Sequence, residues 1–370
     1  MPALATAPRS IGALGVGWQA ETIDYPLALA WSHDGAALYV IDAAGHLYCL
    51  DARSGALRWQ REAHADGALA LAVSPHDPLL VTAGKDGRVR LWNARDGESQ
   101  AVFEPGVTWI EHLAWSADGQ FFAAAGGRVA HIYARDGRVI ARCAEHPSTI
   151  SALAWSAPGE IVTTCYGQVG CWDASNGMLA DSFSWQGSLI SLALSHDHAV
   201  IACGSQDASV HFWRRANRED SEIRGYSLKP SVVAFDRHSR WLASNGGDVI
   251  TLWDFAGNGP ENTRPLVLSR HSDTVTAFEF AQRYDLLVSG ARDGSVCLWS
   301  MTPQRAGSLS GGSLLGAAVV KLAWRPDQRA LAALDSSCNV TCWRIRPEQA
   351  LTTPLRDEKR AAPGAHDEAF

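Results

Sequence analysis

Residues 271–300 read HSDTVTAFEFAQRYDLLVSGARDGSVCLWS, and versions of this stretch return eight times along a chain of 370 residues. A first apolar run, 275–280, leads to a turn at 282–285. A second, 286–290, leads to a turn at Arg292-Asp293-Gly294, and a third, 296–299, closes the unit. Runs of about four to six residues bounded by Gly and Asp read as strands, not helices. Two independent markers keep step. The third runs end at Leu50, Trp92, Ile132, Trp172, Trp213, Trp253, Trp299 and Trp343, spaced 40–46 residues apart. The first runs end at Ser32, Ser74, Ser116, Ser156, Ser195, Asp236, Ala281 and Arg325, spaced 39–45 apart. A unit of this size cannot bury both its faces alone, so neighbours must stack.

These repeats resemble the WD-repeat family of β-propellers over residues 12–345. The matching residues are Trp92-Asn93, Trp172-Asp173, Trp213-Arg214, Trp253-Asp254, Trp299-Ser300 and Trp343-Arg344, with AWSHDG at 30–35, VSPHD at 73–77, AWSADG at 114–119 and AWSAPG at 154–159. Only two copies keep the literal Trp-Asp pair, and repeats one and three lack the third-strand Trp. The resemblance implies an all-β, closed β-propeller of four-stranded blades. The repeat count gives eight blades, with seven as the alternative. Fourth strands fit 55–60 and 137–141, each entered through a Ser-Gly or Asp-Gly hairpin turn. An open array would leave two sheet edges exposed. Segment 12–21 looks like 55–62 (Trp18-Gln19 against Trp59-Gln60), so it is expected to complete the last blade beside the strand ending at Trp343. The organisation expected is an N-terminal extension (1–11), the propeller (12–345) and a disordered polar tail (346–370). The insertion after Trp253 is expected to protrude at 257–262.

The net charge of −7 carries no basic stripe, which argues against a nucleic-acid partner. No signal-like segment and no apolar run of about 18 residues occurs, so no membrane partner is expected and the chain reads as cytoplasmic. The eight Cys are scattered and read as reduced, buried apolar residues; Cys49, Cys171 and Cys342 share a packing slot. No C-x-x-C or H-x-x-x-H pair supplies local zinc spacing, so neither metal nor cofactor is expected. The Gly pairs at 126–127, 246–247 and 311–312 read as turns.

His271, Ser289 and Asp293 together invite a hydrolase reading. The same types recur at matching offsets as His64, Thr82 and Asp86, followed by Trp92 where the seventh repeat has Trp299. Two copies in one chain argue for a structural part, and Ser289 lacks a Gly-x-Ser-x-Gly elbow. The WD resemblance implies a hydrogen-bonded tetrad in each: Asp accepts from His, His reaches the hydroxyl, and the hydroxyl meets the indole N–H. His146 has Tyr166 where the Asp belongs, and Asp207 keeps the Asp but has Trp185 in place of the His. Those blades are expected to be less rigid or freed for binding.

In a propeller the turns between second and third strands share a face with the connections entering each first strand. That places Lys85, Arg128, Tyr166, Gln206 and Arg292 with Trp109, Trp185, Gln186, Tyr226 and Lys229. Trp, Tyr and Arg are enriched at binding hot spots. The reading is a non-enzymatic, monomeric ring that holds a protein or peptide partner on this face. The sixth repeat resembles a segment of bacterial WD-repeat proteins, some associated with metal-handling GTPases. That implies an accessory role in zinc homeostasis as one alternative; a hydrolase built on Ser289, His271 and Asp293 is the other.

Overall fold

The computed structural model describes residues 8–157, 159–257 and 259–353. Their strands fall into eight antiparallel sheets that close as an eight-bladed β-propeller. Lettering strands a to d from the centre outward, blade 1 is Pro26–Trp31, Ala37–Asp42, His46–Asp51 and Leu57–Glu62. Blades 1 and 3 form without the third-strand Trp because the slot asks for apolar bulk, and Leu50 and Ile132 fill it fully buried. In blade 4 strands b and c merge into one continuous strand, Glu160–Asp173.

The core lies between blades, and period-2 alternation puts it there. In strand b of blade 1, Ala37, Tyr39 and Ile41 pack against Leu80 and Trp92 of blade 2. The intervening Leu38 and Val40 pack the other way, against Leu334 and Val340 of blade 8. Near the axis, first-strand tryptophans tie four of the blades to the one before. Trp115 Nε1 donates to Ala72 O at 3.3 Å, Trp155 to Ala114 O at 3.0 Å, and Trp324 to Glu279 O at 3.1 Å. Trp31 makes the same bond to Ala323 O at 3.0 Å, across the ring closure.

Closure follows the expected route. Leu14–Glu21 is strand d of blade 8, pairing with Asn339–Ile345 in the register Val16↔Trp343 and Glu21↔Asn339. Its likeness to the outer strand of blade 1 is physical. Trp18 Nε1 donates to Ala52 O at 2.9 Å, and Trp59 Nε1 to Arg95 O at 3.1 Å, each pinning the c–d turn of the next blade. Gly55 (φ +73°) and Gly97 (φ +70°) lie under these indoles, where an added Cβ would come within 2.5 and 2.8 Å of the rings.

Four expectations need correction. The N-terminal extension is not separate: Arg9–Gly12 adds a fifth strand to blade 7, with Arg9 opposite Leu314 and Gly12 opposite Gly311. Gly311-Gly312 is therefore strand, not turn. An added Cβ on Gly311 would meet Leu14 at 2.9 Å, so glycine is what lets the N-terminal segment cross. The segment from 346 begins with a helix, Pro347–Thr352, held by Ser310 Oγ donating to Ala350 O at 2.6 Å and by Arg305 to Leu351 O at 2.8 Å. The remainder of the expected tail, 354–370, lies outside the described residues. The insertion after Trp253 folds back onto blade 5, where Glu261 takes a two-pronged bond from Arg214 at 2.7 and 2.8 Å. Among the described residues no helix is long and apolar enough to cross a membrane.

Candidate partner-binding face

Blade 2 carries the complete tetrad. His64 donates from Nδ1 to Asp86 at 2.8 Å, Thr82 Oγ1 donates to His64 Nε2 at 2.9 Å, and Trp92 Nε1 donates to Thr82 at 2.9 Å. Blade 7 departs from the expected pattern. Ser289 bridges His271 (2.7 Å) and Trp299 (2.9 Å), but His271 Nδ1 meets Ser295 Oγ at 2.5 Å, and Ser295 donates onward to Asp293. Asp293 thus reaches His271 only through a hydroxyl, and its bonds to Ser295 and Ser272 hold its carboxyl low, at about 2 although burial opposes them. Ser289 is 0% exposed and its oxygen is already bonded to both the indole and the imidazole. Burial lowers the His64 and His271 pKa values, which keeps both rings neutral and able to accept at Nε2.

The irregular blades fill the same slot by other means. In blade 4, His146 bonds Thr163 at 2.8 Å and Trp172 bonds Thr163 at 2.8 Å, while the carbonyl of Arg128 in blade 3 replaces the carboxylate at 3.1 Å. In blade 6, Tyr226 stands where the His belongs: its hydroxyl meets Ser244 at 2.6 Å and accepts from Trp253 Nε1 at 3.2 Å. In blade 5, Trp185 stacks on His211 with centroids 3.8 Å apart. Trp185 Nε1 and both His211 ring nitrogens are buried without a hydrogen-bond partner; Nε2 sits 3.2 Å from Asp220, out of hydrogen-bond geometry. Tyr226 and Trp185 are therefore partly buried, with their polar atoms turned into the blade.

Backbone bonds tie b–c turns to entering connections in four blades: Lys85 N–H to Gly67 O at 3.0 Å, Gln206 to Ser188 O at 2.9 Å, Leu228 to Gly246 O at 3.0 Å, and Arg292 to Thr274 O at 2.9 Å. Lys85, Arg128, Gln206, Lys229 and Arg292 are exposed there, and Lys229 Nζ reaches Gln206 at 3.4 Å. The most exposed aromatics are Tyr166, at 61%, and Trp109, at 55%. They belong to adjacent blades. Arg128 spans the gap, donating from Nε to His146 O at 2.6 Å and facing Glu145 at 3.4 Å. Ile23 (67%), Tyr25 (39%) and Leu228 (49%) add apolar surface on the same face. Sequence reasoning missed these three. Ile23 and Tyr25 could have been found, because closure through 12–21 makes 22–25 an entering connection. Among the described residues no three His, Cys, Asp or Glu side chains gather as a metal site.

The family model described as "Outer membrane protein assembly factor BamB" matches residues 15–223, over half of the chain, and "WD domain, G-beta repeat" matches residues 263–300. The chain belongs to the WD-repeat β-propellers. Actin-interacting protein 1 of Caenorhabditis elegans is 23% identical over 331 residues, covering 87% of this chain and 53% of that protein. Protein transport protein sec31 of Schizosaccharomyces pombe is 40% identical over 53 residues, 14% of this chain and 4% of that one. The chain thus spans about half the length of the first relative and far less of the second. A computationally designed protein, Ika8, superposes with a TM-score of 0.77 at 20% identity, covering 90% of this chain and all of that one. This likeness concerns the fold alone.

Proposed function

We propose that this propeller is a non-enzymatic scaffold that holds a protein or peptide partner on the face built from its b–c turns and entering connections. One observation carries the reading: Trp109 and Tyr166, in adjacent blades, are more than half exposed on a face whose backbone is fixed by hydrogen bonds. The rigidity matters because exposed aromatic anchors on a preorganised surface lose little conformational freedom when they bind. An added Cβ at Gly126 would lie 1.9 Å from Trp109 O, so the backbone beneath the exposed indole is packed tight against blade 3. Arg128 supplies a polar contact between the two rings. The relatives named as actin-interacting and protein-transport proteins are consistent with a role in protein association.

The test uses the full chain as bait in native extract, beside W109A/Y166A and beside R138A, which alters a c–d turn on the opposite face. Proteins kept by the wild type and R138A but lost by W109A/Y166A support the reading. The same set retained by all three baits overturns it.

A further inference from the structure

On the opposite face, at the seam where the ring closes, lies a cavity of about 470 Å³ between blades 8 and 1. Five arginines line it. Arg325 and Arg329 come from the a–b turn of blade 8, Arg344 and Arg346 from the end of its strand c, and Arg53 from the c–d turn of blade 1. No acidic residue lines this cavity. Two of the five are neutralised from outside it, Arg325 by Asp327 at 2.7 Å and Arg329 by Glu348 at 2.8 Å. Arg53, Arg344 and Arg346 have no carboxylate partner among the described residues, so three positive charges converge in a chain whose net charge is negative.

We infer that this crevice binds a compact polyanion bearing two or more clustered phosphate groups. Guanidinium groups match phosphate oxygens in a two-pronged, charge-assisted geometry that lysine cannot reproduce. The volume falls within the range of about 300–1,000 Å³ usual for small-ligand pockets. The crevice between blades 1 and 2 has a mixed lining instead: Arg58 and Arg95 share its wall with Asp34 and Asp77. Within the repeat, the residue following the third-strand slot is Asp51, Asp173 and Asp254 in three blades and Arg344 in blade 8. Arg214 occupies it in blade 5, but there Glu261 neutralises it. The floor is fixed by the closure itself. Trp18 pins Ala52 beside Arg53, and Gly17 sits on a bulge where an added Cβ would meet Cys342 O at 2.8 Å.

The probes are inositol hexakisphosphate, a phosphate ester, and sodium tripolyphosphate, an inorganic chain. Each is titrated calorimetrically into the full chain at about 150 mM salt, which screens diffuse surface attraction. The expected result is saturable one-to-one binding of at least one probe, weakened by about tenfold or more in R53Q/R344Q, as loss of two charge-assisted contacts requires. Both replaced side chains are exposed, and the variant should melt like the wild type. R138Q, an exposed arginine of the same face outside the crevice, should bind as the wild type does. No saturable binding below about 1 mM for either probe overturns the inference, and so does equal binding by R53Q/R344Q and wild type.

Discussion

Two residues before each first-strand end marker, seven blades carry alanine: Ala30, Ala72, Ala114, Ala154, Ala193, Ala234 and Ala323. Blade 7 carries Glu279. Its carboxyl, half-buried beside the central channel, accepts the Trp324 N–H at 3.2 Å, and burial raises it from 4.5 to about 7. The sign follows from proton linkage. Between pH 4.5 and about 7 the folded chain holds a proton that the unfolded chain has released. The contribution of this group is fully present below 4.5 and is lost as pH rises through 7. At about 1.4 kcal/mol per pH unit the loss is bounded near 3.5 kcal/mol. Channel water screens a half-buried group, so about 1–2 kcal/mol is the expected loss.

Glu279→Gln isolates this effect. The amide keeps the shape and the acceptor for Trp324 and cannot ionise. Wild type and variant should have equal stability at pH 4.5, and the variant should gain about 1–2 kcal/mol by pH 8. Urea unfolding followed by tryptophan fluorescence at matched pH reads the difference. The wild-type profile alone would mislead, because His146 works the other way. Burial lowers its pKa from 6.5 to about 4, so its contribution is present above 6.5 and is lost as pH falls through 4. The two slopes oppose each other over nearly the same window, and only the difference between variant and wild type removes the histidine. A pH-independent offset, or a variant that weakens as pH rises, would refute a protonated Glu279.

Other substitutions test the ties within and between blades. Thr163→Val should leave the Trp172 N–H and His146 Nε2 without partners and cost about 1–3 kcal/mol in chemical unfolding. Tyr226→Phe should cost a similar amount by stranding the Trp253 N–H, whereas Tyr166→Ala should change stability by less than about 0.5 kcal/mol, since its ring is exposed. Removing residues 1–21 should bare the edge of Asn339–Ile345 and convert a monodisperse species into larger assemblies, read by light scattering after gel filtration.

The eight-bladed ring was legible because its marks are periodic. Two residue types at fixed spacing count the blades, and the likeness between 12–21 and 55–62 locates the closure strand. What was not legible depended on which residue fills a slot when the usual one is missing. Tyr226 read only as a surface aromatic because it is not histidine, although it occupies the histidine position; Trp185 was legible at that position, but its stacking on His211 was not. The slot selects a ring of suitable reach more than it selects imidazole. Blade 6 meets the demand with a phenol, blade 4 borrows a neighbour's backbone carbonyl, and blade 5 stacks one ring on another. Ser295 is a different case: a hydroxyl two residues beyond the Asp recurs as Ser209 after Asp207, where it also bonds the carboxylate, but only in blade 7 does a histidine stand at the position where that hydroxyl can relay the charge.

This substitution logic separates packing from recognition at the surface. An aromatic residue that completes a slot is accounted for by the blade that contains it, however unusual it looks beside its repeats. Trp109 and Tyr166 complete no slot: blade 3 has Ala124 where the hydroxyl would stand, the hydroxyl of blade 4 is already satisfied by His146, and both rings are more than half exposed. The same test applies to charge. Arg214 and Arg325 have carboxylate partners that the fold supplies, whereas Arg53 and Arg344 do not. Two groups of side chains that packing and pairing leave unused stand out, an aromatic rim on one face and an arginine crevice on the other. A protein partner and a phosphate-rich ligand could occupy them together, because the full depth of the blades stands between the two.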